Sequence, residues 1–278
     1  LSTQRGSGRK LGQGKSRPVS TIIMDEEEKT DLLKDMQEFL NEPIQKWYTE
    51  RGIPYRHGYL FFGPPGTGKS SFSLSIAGRF KLDIYVLNLS SVNDSSLNKL
   101  FADLPPHCVI LLEDVDIVGL ARSDDAETAQ KRDKSKPRVS LSGLLNALDG
   151  VSSQEGQVLI MTTNHVGHLD EALIRLGRVG RKVYFKLADK DMCSQLFCSI
   201  FEQSTEGRGA LEKTDEMVKR LADKFAVEVP EQVFSPAEIL SFLEDHKKSP
   251  TDAMVDVKDW VVKAKDAKNH LNRENAWV

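Results

Sequence analysis

Few cysteines, no long apolar run and no excess of either charge remove several classes of protein before any motif is read. Three cysteines in 278 residues, Cys108, Cys193 and Cys198, are too few for a secreted disulfide framework, and their apolar settings fit a reducing compartment. No apolar run approaches the roughly 20 residues that cross a bilayer, and the N-terminus lacks the apolar centre of a signal peptide. The 38 Lys and Arg against 41 Asp and Glu leave a net charge of -3, so no global field draws the chain to nucleic acid. Basic stretches studded with aromatics, which would grip a strand locally, are missing too. The first residue is Leu rather than Met, so the chain reads as an excised or processed piece.

Residues 1–20 are rich in Gly, Ser, Lys and Arg without periodicity, which predicts a flexible lead-in. From 25 to 47 apolar residues recur at Leu32, Leu33, Met36, Leu40, Ile44 and Trp47, the stripe of one amphipathic helix. Five near-continuous apolar runs follow: "GYLFF" (58–62), "DIYVLNL" (83–89), "CVILL" (108–112), "QVLIMTT" (157–163) and "KVYFKL" (182–187). Runs apolar on both faces are expected for strands covered on both sides by crossover helices. The segments 69–80, 95–104 and 141–151 supply helical spacing between them. The order predicts an α/β domain over 21–188, with a five-stranded parallel sheet flanked by helices. Beyond 188 the pattern is helical only, and Ser235-Pro236 is a helix-start signal, so 189–278 reads as a small α-helical domain.

"GPPGTGKS" at 63–70 fits G-x-x-x-x-G-K-[ST] in full, between a predicted strand and a predicted helix. Backbone N–H groups of such a loop and the helix N-terminus cradle phosphates, the lysine reaches the outer phosphates, and the last hydroxyl holds Mg²⁺. The expected nucleotide contacts are Gly63, Pro64, Pro65, Gly66, Thr67, Gly68, Lys69, Ser70 and Ser71, with ATP and Mg²⁺ as ligands.

"VILLEDVD" at 109–116 ends a predicted strand in acid, where a phosphate loop needs one carboxylate for the metal and one for the attacking water. Alignment of apolar-apolar-acid-acid-apolar-Asp on "LLEDVD" gives Glu113 the metal position, partly through water beside Ser70, and Asp114 the water position. Successive strand residues face opposite ways, so the two should not trade roles. Since Glu is one methylene longer than Asp, slow but real hydrolysis is expected. Asn164, at the end of the fourth predicted strand, is placed to bond the γ-phosphate or the water. Arg175, Arg178 and Arg181 recur every three residues downstream, and guanidiniums stabilise developing phosphoryl charge, including from a neighbouring subunit.

The set "GPPGTGKS", "LLEDVD", "TTN" and "LDEALIRLGRVGR" resembles the AAA ATPase family over roughly residues 20–245. Within it, "WYTERGIPYRHGYLFFGPPGTGKSSF", "LLEDVD" and "LSGLLNALDGVSS" are similar to the mitochondrial inner-membrane chaperones of the bcs (cytochrome bc complex synthesis) type, where the Glu-Asp order is habitual. The resemblance implies a P-loop NTPase core followed by a helical lid, and a homo-oligomeric ring with ATP between neighbours. It implies Arg178 as the trans-acting arginine and Arg181 as the second. It also implies a folded Rieske iron–sulfur protein as cargo in complex III assembly, the module facing the matrix, and membrane contact only through an N-terminal part missing here. Leu176 stands where proline is usual, and Val179-Gly180 replaces the common Phe-Asp. The stretch after the second strand, "LSSVNDSSLNKLF", has no aromatic before Phe101, which argues against a pore that grips unfolded chain. An unfoldase, or a non-hydrolysing ATP-dependent scaffold, stays open as an alternative. The polar segment 121–138 reads as a loop without a helix or strand period.

Overall fold

The structure, a computed structural model, describes residues 8–11, 17–116, 139–149, 155–175, 177–202 and 211–275. The expected loop at 121–138 and Leu176 lie outside them. Two compact units separate. One spans 1–22, 26–64 and 69–185; the other takes 186–278 with the short pieces 23–25 and 65–68.

The first unit is built on a six-stranded sheet of order β1-β3-β4-β5-β2-β6. Its strands are β1 (Gly8–Leu11), β2 (Arg56–Phe62), β3 (Asp83–Asn88), β4 (Cys108–Glu113), β5 (Gln157–Thr163) and β6 (Arg181–Tyr184). The five expected runs form β2 to β6, all paired parallel. β1 is an addition: part of the segment expected to be a flexible lead-in pairs antiparallel with β3, Gly8 opposite Leu87 and Leu11 opposite Ile84. Such edge pairing is made by backbone groups, so it leaves no apolar signature in the sequence.

Helices α1 (Glu26–Phe39), α2 (Glu42–Glu50), α3 (Lys69–Arg79), α4 (Asp94–Asp103), α5 (Leu141–Asp149) and α6 (Glu171–Ile174) complete this unit. The single helix expected over 25–47 is two. Pro43 stands in the first turn of α2, where it lacks the N–H and the room to continue a preceding turn. Leu32 and Met36 on α1 are fully buried, whereas Trp47 beyond the break is 44% exposed. On one side of the sheet Leu97 and Phe101 of α4 and Leu144 of α5 pack with Ile110 and Leu112 of β4. Elsewhere Phe61 of β2, Phe72 of α3 and Phe185 meet ring to ring, with centroids 5.2–5.9 Å apart.

The second unit is helical: α7 (Lys190–Phe201), α8 (Leu211–Glu228), α9 (Pro236–Asp245) and α10 (Pro250–Asn275). Phe197, Phe225 and Phe234 are fully buried in its core with Phe242 beside them. Ser235 starts α9 as a full capping box with Glu238, and Lys268 Nζ donates to that Glu238 carboxylate (2.9 Å) and to the Val233 carbonyl (2.7 Å). Among the described residues no helix is long and apolar enough to cross a membrane.

Candidate functional site

Register along the sheet brings the start of the phosphate loop, the acids and Asn164 to one edge. Phe62 of β2 pairs with Thr163 of β5, and Leu112 of β4 with Met161 of β5. The residues that follow these strands, Gly63, Asn164 and Asp114, therefore leave the sheet at the same carboxyl edge. This is where open parallel sheets present their ligand sites.

The loop at 63–70 is shaped by three glycines with positive φ: Gly63 (138°), Gly66 (76°) and Gly68 (97°). Only glycine takes such backbone without cost. At Gly63 a Cβ would also stand 2.1 Å from the Phe185 carbonyl oxygen. Lys69, the first residue of α3, is 8% exposed, and its Nζ donates to the Gly63 (2.7 Å) and Pro64 (2.8 Å) carbonyls. An ammonium has three N–H groups, so two anchor it against the loop and one remains for a phosphate oxygen. Burial pushes the Lys69 pKa down, opposed by the charges of Asp114 and Asp116. Within the second unit, the N-terminus of α9 bonds the loop's tip: the Ala237 N–H donates to the Gly66 carbonyl (3.1 Å). Gly66 could carry no side chain there, since its Cβ would meet Ser235 Oγ at 2.8 Å.

The two adjacent acids differ in backbone conformation. β4 ends at Glu113, and Asp114 takes the left-handed conformation (φ 51°), an arrangement that costs about 1–3 kcal/mol for most residues and is tolerated best by Asn and Asp. Asp114 lies past the end of the strand, so its direction is set by this left-handed backbone rather than by strand alternation. Its carboxylate is exposed and accepts a long bond from Asn164 Nδ2 (3.4 Å), so the two residues expected to flank the attacking water meet. The third acid of the motif, to which the sequence assigned no role, is the buried one. Asp116 is 8% exposed and accepts from Thr163 Oγ1 (2.9 Å), whose oxygen in turn accepts the His165 N–H (3.0 Å). The threonine hydroxyl thus ties the ends of β4 and β5 together. The sequence signals were the last acid of "LLEDVD" and the Thr preceding Asn164.

Mg²⁺ and ATP suit this edge. A hard cation with few protein ligands, completed by phosphate and water, needs one hydroxyl and one carboxylate nearby, and Ser70 is the second residue of α3 while Glu113 closes β4. Among the described residues no group of three or more His, Cys, Asp or Glu forms an all-protein metal cage.

The arginine segment lies at the other end of β2. Gly180 N–H donates to the Gly58 carbonyl (2.8 Å), and a Cβ at Gly58 would fall 1.7 Å from the Arg178 carbonyl oxygen, so this glycine lets the segment lie flat on the strand. From Gly58 to Gly63 is five residues, about 16 Å at 3.3 Å each. Arg178 is tightly held: Nε donates to Asp149 Oδ1 (3.0 Å), Nη2 to Asp149 Oδ2 and Nη1 to the Ala172 carbonyl. Its side chain is 8% exposed and that of Asp149 48%. The Arg178 bonds hold the Asp149 carboxyl below the usual carboxylate range, and the charges of Arg175 and Arg56 add to the effect. Arg175 is exposed. Arg181 opens β6 opposite Tyr59, with Glu28 Oε2 at 3.8 Å. Beside it Asp35 accepts from Tyr59 OH (2.7 Å) and bonds His57 Nε2 (3.0 Å). The His57 bond leads in depressing the Asp35 pKa. Neither Asp149 nor Asp35 was singled out by the sequence.

Comparison with known proteins matches residues 59–187 to the family described as "ATPase family associated with various cellular activities (AAA)" and 190–259 to "Mitochondrial chaperone BCS1-like, ATPase lid domain". Similar curated proteins include the probable mitochondrial chaperone BCS1-A of Dictyostelium discoideum, 36% identical over 91% of this chain and 57% of its own length. The mitochondrial chaperone BCS1 of Homo sapiens is 39% identical over 86% of this chain and 54% of its own length. That of Bos taurus is 39% identical over the same shares, 86% and 54%. The chain thus spans about half the length of the curated relatives it matches.

Proposed function

This chain belongs to the AAA ATPase family and ends in a BCS1-like lid, and from that premise we propose that it is the ATP-hydrolysing module of a mitochondrial assembly chaperone working as a ring of identical subunits. The observation that carries the reading is the division of labour along β2. Lys69, Asp114 and Asn164 gather at its carboxyl end, while Arg178 is fixed at its amino end, too far to serve the same chain's phosphate loop and so disposed toward a neighbour's.

In this reading the glycine-shaped loop and Lys69 hold the β- and γ-phosphates. Asp114, turned out of the strand, accepts a proton from the attacking water while Asn164 orients it. Asp116 and Thr163 keep the two strand ends in register. Mg²⁺, when bound by Ser70 and by Glu113 partly through water, neutralises phosphate charge. Arg178 of one subunit stabilises the charge developing at the next subunit's site, with Arg181 as a second cation beside it.

The cargo follows from resemblance and from one local feature. After β3 the chain makes a short 3-10 turn at Leu89–Ser91 and enters α4 through the Asn93 cap; Leu89 and Val92 point inward, and Phe101 is buried in α4. A segment with serines outward and no exposed aromatic gives little grip on an unfolded chain, which favours folded cargo over an unfoldase. The cargo proposed is the Rieske iron–sulfur protein, in complex III assembly at the mitochondrial inner membrane, with this module facing the matrix and the membrane contact made by sequence outside this chain. ATP turnover measured against protein concentration is the test. Turnover rising more steeply than concentration, and lost in Arg178→Ala while ATP still binds, supports the shared site. Binding without turnover in the unaltered chain would leave the scaffold reading instead.

A further inference from the structure

The carboxylate of Glu238 is shared between two helices. Its Oε2 accepts the Ser235 N–H (2.8 Å) and the Ser235 hydroxyl (2.8 Å) at the start of α9, and Lys268 Nζ (2.9 Å) from α10, 30 residues on. Lys268 donates a second N–H to the Val233 carbonyl (2.7 Å), and its ammonium stands 5.0 Å from the centroid of the buried Phe234 ring, within the range of a cation–π contact. Burial works against the charge on Glu238, yet the bonds from the Ser235 backbone and Lys268 outweigh it and hold the carboxyl below its ordinary pKa. The chain leading into α9 is held as well. Gln232, at φ 56°, donates its N–H to the Ala188 carbonyl (2.9 Å), and the Ala188 N–H donates to the Phe234 carbonyl (2.9 Å).

This arrangement settles where the first N–H groups of α9 go. Pro236 has none, the Glu238 N–H is taken by Ser235 itself, and the Ala237 N–H leaves the helix for the Gly66 carbonyl (3.1 Å). Across a planar trans peptide the carbonyl and the next N–H point in opposite directions, so a Gly66 carbonyl bonded to α9 turns the Thr67 N–H away from that helix. A phosphate loop works when its N–H groups face inward together. The fit between α9 and the loop's tip is close, since a Cβ at Gly66 would meet Ser235 Oγ at 2.8 Å and Ala237 Cβ at 3.3 Å.

We propose that Lys268 is a positioning residue for the phosphate loop: it fixes the cap of α9, α9 fixes the Gly66–Thr67 peptide, and the far part of α10 thereby sets how tightly ATP is held. The proposal rests on the nucleotide-binding reading of the 63–70 loop given above and adds to it a residue that acts on the loop only through α9. Lys268 lies past residue 259, where the match to the BCS1-like lid ends, so it stands outside the part of the lid that the family model describes.

The test uses the full chain with Lys268→Met, Lys268→Arg and, as a control on the same helix, Lys258→Met, which removes an exposed ion pair with Glu228 (3.3 Å). Lys268→Met is expected to weaken binding of fluorescent ATP about tenfold, inside the usual range of coupling between separate sites, and to raise KM for ATP with kcat unchanged. Lys268→Arg, which keeps the charge and can donate to both acceptors, should restore affinity, and Lys258→Met should match the unaltered chain. Undiminished ATP affinity in Lys268→Met overturns the proposal. So does an equal loss in Lys268→Arg, which would place the cause in packing rather than in the bonds, and so does an equal loss in Lys258→Met, which would mean a general weakening of α10. Binding by the unaltered chain no tighter than by Lys69→Ala would instead remove the nucleotide-binding reading itself.

Discussion

The two ends of β2 solve opposite problems with different materials. At its carboxyl end the strand delivers Gly63 and the phosphate loop, where the working groups are backbone N–H and carbonyls, one lysine, and three glycines with positive φ. At its amino end it receives the 178–181 segment through a backbone bond at Gly58, and there the proposed working group is a side chain held by the Asp149 carboxylate of α5 and the backbone carbonyl of Ala172. A loop made of backbone is ready for an anion as soon as it folds. An arginine held by a carboxylate depends on a helix elsewhere in the chain being in place. On the function proposed above, nucleotide affinity and nucleotide turnover have separate structural owners.

The largest expected effect separates those owners. Lys69→Ala should abolish both ATP binding and turnover, whereas Arg178→Ala should cut turnover by about a thousandfold, the lower range for a trans-acting arginine, and leave binding intact. Binding by fluorescent nucleotide beside steady-state turnover checks this, and equal loss of both properties in Arg178→Ala would break the comparison. Gly58→Ala is the next. Its Cβ would collide with the Arg178 carbonyl at 1.7 Å, and relief of that overlap should cost about 1–3 kcal/mol, seen as a lower Tm with turnover falling further than ATP affinity.

Thr163→Val sharpens the carboxyl-end side. It strips Asp116, 8% exposed, of its hydroxyl donor, and a buried acceptor left unsatisfied costs about 1–3 kcal/mol. Denaturant midpoint should fall and turnover with it, while the arginine end is unaffected. The smallest effect lies outside both ends, in the helical unit. His246 bonds the Phe242 carbonyl through Nδ1 and Asp256 through Nε2; the Phe242 bond leads in raising its pKa above the ordinary value, with Asp256 and Asp245 adding to it. A raised folded pKa means stability fully present below the unfolded value of about 6.5 and lost as pH rises through the folded one. Tm should therefore drift down over that rise, and His246→Gln should remove the drift without changing ATP turnover at fixed pH.

Legibility followed the same division. The strand and helix order could be read because each element carries its own apolar period, and the phosphate loop because glycines, lysine and serine are contiguous. The break at Pro43 was also written locally, yet the stripe from Leu32 to Trp47 outweighed it. β1 could not be read, because strand pairing is made by backbone groups that every residue carries. Asp116 was visible as the last acid of "LLEDVD" but not as the partner of Thr163, 47 residues away.

By itself the sequence determined the parallel α/β core, the helical lid and a phosphate loop, since these depend on interactions within a few turns or strand lengths of chain. Only the tertiary structure decided that Asp114 leaves the strand in a left-handed turn to meet Asn164, that Asp116 faces Thr163, and that Arg178 is clasped by Asp149. Each of those depends on how two distant segments come into register, and a carboxylate has the same side chain whether its partner is water or an arginine 29 residues on.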